Sequence, residues 1–170
     1  MDRILIVIAF VFFWIAMIAL IFKGWRGRQK RQAESIGTFP EVPADLGTTL
    51  IEPSTGLYVG STIAPSWQDR IAVGDIGHRA VAELSRHEHG ILMTRVGEST
   101  IWIPRASIRA VRTERGLAGK VMSKDGLLVI RWVLPTGTEI DTGFRADDKF
   151  VYPTWVDTEP DTNDSKETTA

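Results

Sequence analysis

The chain opens on a block in which apolar and polar positions do not alternate at all. From Ile4 to Phe22 it reads ILIVIAFVFFWIAMIALIF, nineteen residues without a charge, a Gly or a Pro. At about 1.5 Å per residue this run makes a helix of roughly 28 Å, close to the ~30 Å hydrocarbon core of a bilayer. An amphipathic helix on a soluble domain would keep a polar face, and this stretch has none. Fourteen of its residues are Ile, Leu, Val or Phe, each of which favours insertion by roughly 0.3–0.6 kcal/mol at the helix centre. The pattern predicts a transmembrane anchor over 1–22, with its helix at about 4–22. A cleaved signal peptide has a basic start, a shorter apolar core and a small-residue cleavage site. The Met-Asp-Arg start and the Lys23-Gly24-Trp25-Arg26 exit fit that poorly.

A polar, basic segment follows, with Pro40 and Pro43 towards its end, and 23–45 reads as a juxtamembrane linker. From Thr49 the texture becomes short apolar runs broken by turn residues. Strands are predicted over 57–63, 80–86, 91–96, 99–103, 106–112, 127–134 and 138–144. A loop over 64–78 carries Pro65, Trp67, Gly74 and Gly77, and 117–125 is a glycine-containing connection. The stretch 145–156 suits a short helix limited by Pro153. Seven strands and a closing helix predict a mainly-β domain over 46–156, an antiparallel barrel or sandwich. Within 127–134, Leu128, Ile130, Trp132 and Leu134 share one face and are assigned to the core. Arg131 lies between Val129 and Val133 on the other face. Residues 157–170 are polar and acidic and are expected to be disordered.

Charge adds an orientation. Arg3 is the basic side chain before the apolar run, whereas Lys23, Arg26, Arg28, Lys30 and Arg31 follow it. Cytoplasmic flanks carry the excess of Lys and Arg, so the N-terminus is expected outside and the β domain at the inner face of the plasma membrane. The same five residues are candidates for contact with anionic lipid headgroups, at about 1 kcal/mol each near the surface. A net charge of −1 argues against a nucleic-acid partner. Zero cysteines is compatible with a reducing compartment. Trp67 in the long loop, Trp102 in a strand and Trp155 near the end are candidate contacts for a protein partner, because exposed Trp anchors interfaces. Core packing is the alternative for each.

Chemistry finds little to stand on. Asp141-Thr142-Gly143 has the form of an aspartic-protease loop, in which two carboxylates share a proton. Such enzymes need a second apolar strand-Gly element well downstream, and 27 residues follow Gly143, half of them polar tail. The alternative is a strand end turning at Asp-Thr-Gly. His87 and His89 lie two apart, workable for zinc on one strand face, but they fall at a predicted turn beside Gly90. No G-x-S-x-G, Walker A or G-x-G-x-x-G is present. The chain reads as non-enzymatic, with no cofactor and no metal.

The run Ile101-Trp102-Ile103-Pro104-Arg105-Ala106-Ser107-Ile108-Arg109-Ala110-Val111 resembles the strand, Pro, short turn and I-x-x-V signature of bacterial pleckstrin-homology-like domains. The hairpin over 127–142 and the segment 145–156 resemble the last strands and capping helix of that fold. With its anchor, the chain is similar over roughly residues 1–155 to small actinobacterial single-pass membrane proteins, loosely labelled transporters or export proteins. The resemblance implies a seven-stranded bent barrel capped by a C-terminal helix. It implies a scaffold or interaction module at the inner membrane face, with an accessory subunit of a transport or export complex as the alternative. The loop over 64–79, with Arg70, His78 and Arg79 set against Asp69 and Asp75, does not form the basic clamp of phosphoinositide binders.

Overall fold

The structure, a computed structural model, describes residues 2–121 and 126–156, without the side chains of 2–6, 8, 9, 25–32, 120 and 121. The acidic tail therefore lies outside the described residues. The chain divides into two compact units, 1–34 and 35–170. The described residues of the first are helical. Helix α1 spans Asp2–Ile36, its last two residues belonging to the second unit. It continues through the basic segment because Arg, Lys, Gln, Ala and Glu there are good helix formers. It stops where Gly37 takes φ +61°, the left-handed conformation common just past a helix C-terminus.

From Phe10 to Phe22 the apolar side chains of α1 face outward on every side. Val7, Phe10, Val11, Phe12, Phe13, Trp14, Ile15, Met17, Ile18, Leu20, Ile21 and Phe22 are all exposed. Among the described residues no helix is long and apolar enough to cross a membrane. Five side chains of the run 4–22, those of residues 4, 5, 6, 8 and 9, lie outside that description.

In the second unit a seven-stranded antiparallel sheet is built from β1 (Thr49–Ile63), β2 (Ala80–His87), β3 (Gly90–Arg95), β4 (Ile101–Pro104), β5 (Ile108–Glu114), β8 (Leu127–Val133) and β9 (Glu139–Ala146). The spatial order is β4-β3-β2-β1-β9-β8-β5. Strand β1 is the hinge of the sheet, pairing β2 along its first part and β9 along its second. It begins well before the predicted Leu57. Pro53, which cannot donate to a ladder, is accommodated at the register shift between Ile51 and Ser54. Two 3₁₀ turns connect the strands, 74–77 between β1 and β2 and 105–107 between β4 and β5. A further turn at 149–151 leads into helix α2 (Tyr152–Val156).

The seven strands agree with the expectation, but the sheet is open rather than hydrogen-bonded into a closed barrel. Strand β4 has four residues and ends at Pro104, where the chain enters a 3₁₀ turn, so β4 and β5 remain the two edges. Both halves nevertheless share one core. Ile91, Met93, Ile101 and Ile103 from one half join Ile130, Trp132, Ile140 and Phe144 from the other, with Tyr152 and Trp155 of α2. Trp132 is fully buried as predicted, and Phe39 packs edge-on against it at 5.5 Å.

A small hairpin, β6 (Gly116–Leu117) with β7 (Lys120–Val121), occupies part of the predicted connection. Its two-residue turn, Ala118-Gly119, has φ +52° and +75°. Such mirror-image turns favour Asn-Gly or Gly-Gly, so Ala118 gave no cue in the sequence. Leu117 and Ala118 lie on the outer face of the sheet with Val59, Leu127 and Val129, forming a second apolar cluster.

Candidate interaction surface

The polar side chains of the sheet fall into an inner set and an outer set. Inside, four side chains form a continuous hydrogen-bonded line. The Trp132 indole N–H donates to Thr142 Oγ1 at 2.9 Å, Thr142 Oγ1 and Ser61 Oγ are 3.0 Å apart, and Ser61 Oγ is 3.0 Å from the Tyr58 hydroxyl. Tyr58 O–H donates to the Ile76 carbonyl at 2.8 Å. An indole can only donate and a carbonyl can only accept. The line therefore has one direction, each hydroxyl accepting from the β8 side and donating towards the 74–77 turn. Burial raises the Tyr58 hydroxyl to about 12, which keeps it a donor. Beside it, the guanidinium of buried Arg95 sits 4.9 Å over the Tyr58 ring. Arg95 donates to Ser99 and to Asp75, closing the 74–77 turn against the β3–β4 loop.

On the outer face, Asp141 is gripped by two arginines. Arg131 donates to it through Nε at 2.9 Å and Nη2 at 2.8 Å, and Arg112 through Nη1 at 3.3 Å and Nη2 at 3.0 Å. Glu114 holds Arg112 Nε at 2.8 Å. Burial by itself would raise the Asp141 carboxyl. The hydrogen bonds and charges of Arg131 and Arg112 overcome that and hold it below the usual carboxylate range.

These two arrangements account for Asp141-Thr142-Gly143, which lies within β9 and not at a turn. Asp141 binds the arginines outside, and Thr142 joins the hydroxyl line inside. Gly143 admits the small hairpin, since a Cβ there would stand 2.6 Å from both Leu117 Cδ2 and Val59 Cγ2. The predicted turn is thus corrected to three strand positions, each with a packing reason.

The two histidines are engaged or exposed. His87 Nε2 is 3.0 Å from Ser85 Oγ and its Nδ1 is 3.4 Å from Thr49 Oγ1. His89 is exposed in the β2–β3 turn. Among the described residues no group of three or more His, Cys, Asp or Glu is arranged to hold a metal.

The predicted contact residues separate. Trp155 is fully buried in the core, and Trp102 is 4% exposed beside Leu92 in the β3–β4 ladder. Both serve packing, which corrects their assignment as partner contacts. Trp67 is 43% exposed, and its carbonyl accepts from the Ala118 amide, tying the long loop to the small hairpin. Lys23 is exposed, while the side chains of Arg26, Arg28, Lys30 and Arg31 lie outside the described residues.

Residues 36–160 match the model of the bacterial PH domain-like family. The chain belongs to that family. No curated protein matches it. PH-like domains are generally interaction modules without catalytic activity, and the surface of this one has a feature that reading the sequence overlooked. Arg105, Arg109, Arg112 and Arg115 fall within eleven residues beside one acid, Glu114. Arg105 lies in the 3₁₀ turn, Arg109 and Arg112 in the edge strand β5 and Arg115 just after it, and Arg105, Arg109 and Arg115 are exposed. This arginine cluster thus lies around β5 and outside the β1–β2 loop.

The entry to the PH-like domain is also fixed. The Ser35 carbonyl accepts from the hydroxyls of Thr136 and Thr138 at 2.7 and 2.8 Å. Ile36 is buried in the core, and a Cβ on Gly37 would stand 2.6 Å from Thr136 Cγ2. Residues 46 and 48 bond through their carbonyls to the β2–β3 turn.

Proposed function

We propose that this protein is a membrane-anchored interaction module. α1 lies across a bilayer, and the PH-like domain presents its surface to a protein partner at the inner membrane face. The observation carrying the reading is the exposure of apolar side chains all round α1 from Phe10 to Phe22. A surface of this kind is stable in hydrocarbon and unfavourable in water. The basic residues that follow set the domain on the cytoplasmic side and hold the segment near anionic headgroups. A PH-like fold, whose usual work is interaction, suits a scaffold.

Alkaline carbonate extraction of membranes from expressing cells tests the anchor. The full chain is expected to stay in the pellet. Ile15→Arg with Ile18→Arg, placing two charges near the centre of the run at roughly 2.5–3.5 kcal/mol each, is expected to release it. Release of the unaltered chain by carbonate would end the proposal.

A further inference from the structure

We infer that the segment entering the domain ahead of β1, residues 36–48, is a strap whose seating is coupled through the buried hydroxyl line to the 74–77 turn. Every contact involved lies in the second unit, so this stands whether or not α1 spans a bilayer. The strap is held at its two ends. At its start Ile36 is buried, Phe39 stands edge-on to Trp132, and the preceding Ser35 carbonyl accepts from Thr136 and Thr138. At its end the carbonyls of Leu46 and Thr48 accept from the His89 and Glu88 amides. Gly47 takes φ +73° there, and a Cβ on it would stand 2.7 Å from Glu88 Cβ. Between the two attachments, residues 41–45 are exposed.

Phe39 therefore rests on the residue that heads the hydroxyl line. Trp132 donates to Thr142, and the line runs on through Ser61 and Tyr58 to the Ile76 carbonyl. Each hydroxyl accepts from one neighbour and donates to the next, so a shift of the indole is passed along the line. A closely packed interior leaves the indole no spare volume in which to absorb it. At the far end the turn is tied to its surroundings. Asp75 accepts from Arg95 and from the Ser99 amide, and Arg70 Nη2 donates to the Gly77 carbonyl at 2.7 Å. Arg70 shares the β1–β2 loop with Trp67, whose side chain is exposed. Lifting the strap thus changes how this loop presents Trp67. By linkage, a partner that holds the loop also holds the strap.

Amide exchange of the full chain in detergent, followed residue by residue by NMR, tests the coupling, because exchange reads local opening. The His78 and Ser99 amides, bonded to the Asp75 carbonyl and carboxylate, report the turn. The Asp147 amide, bonded to the Thr55 carbonyl away from the line, reports general opening. Phe39→Ala is expected to speed exchange at His78 and Ser99 about fivefold, the equivalent of one net hydrogen bond, and to leave Asp147 unchanged. Phe39→Leu keeps an apolar side chain and should show the same selectivity, which supplies the reading if the alanine variant does not fold. Ser61→Ala cuts the line at its middle, and in that background Phe39→Ala should no longer alter the turn. Unchanged exchange at His78 and Ser99 in the Phe39 variants overturns the inference. So does an equal rise at Asp147, or a rise at the turn that keeps its size in the Ser61→Ala background.

Discussion

The helix and the β domain use the same side chains in opposite ways. In α1, Phe10, Phe12, Phe13 and Leu20 are each more than half exposed. In the domain, Phe144, Leu128, Ile130 and Trp132 are fully buried. A folded chain in water hides its apolar groups because exposing them costs roughly 25 cal/mol per Å². The core of the domain follows this rule, and its buried Ser61, Thr142 and Asp141 are tied into the hydroxyl line and the ion cluster. The described part of α1 breaks it along its whole apolar length. On the proposed reading the two units fold for different solvents, and the contrast can be broken or sharpened by substitution.

The largest effect is expected at Trp132. Trp132→Ala removes a fully buried indole, the edge-on partner of Phe39, and the donor at the head of the hydroxyl line. A loss of about 3–5 kcal/mol is expected, measured as chemical unfolding of the full chain in detergent by near-ultraviolet circular dichroism. Phe12→Ala in α1 is the matched control and should leave the domain's transition where it is. An equal loss from both would erase the distinction between the units.

Next comes Asp141. Asp141→Asn leaves Arg112 and Arg131 without their shared carboxylate, and breaking a buried pair costs about 3–5 kcal/mol. Both guanidiniums are more than a quarter exposed, so solvent screening reduces this to about 2 kcal/mol. The pH dependence gives a second readout. The folded carboxyl lies below its ordinary value of 3.8. Its contribution is therefore complete above that value and is lost as pH falls from there through the folded one. Unaltered protein should lose stability on acidification below about pH 4 more steeply than Asp141→Asn. Parallel acid transitions would remove Asp141 from the account.

A smaller effect, about 1 kcal/mol, is expected from Thr136→Val/Thr138→Val. The pair strips both hydroxyl donors from the Ser35 carbonyl at the end of α1. Faster amide exchange at residues 35–39, with the core amides unchanged, would locate the loss at the domain entry. Unchanged exchange there would show that buried Ile36 and Phe39 hold the entry without the threonines.

Much of the β domain was legible, because period-2 patterning is what a half-buried strand requires. Alternation over 127–134 placed Trp132 inside and Arg131 outside. Pro104 and Gly97 marked breaks that the structure keeps. What escaped had no local cue. The first half of β1 contains Pro53 and was passed over, although its partner β2 holds it in the sheet. Asp141-Thr142-Gly143 has turn composition, and only its cross-strand partners show why each residue is there. The ion cluster joins residues 112, 131 and 141, which sequence spacing cannot bring together. The basic edge, by contrast, was visible as four arginines in eleven residues. Their spacing alone does not show that β5 is an edge strand.

The central claim, that the exposed helix lies in a bilayer with the PH-like domain inside the cell, is tested most directly by site-directed labelling. With no native cysteine, Asp2→Cys and Val96→Cys report the two sides, Val96 being 72% exposed in the domain. An impermeant thiol reagent added to intact cells is predicted to label Asp2→Cys at once and Val96→Cys only after lysis. Labelling of Val96→Cys in intact cells would contradict the account.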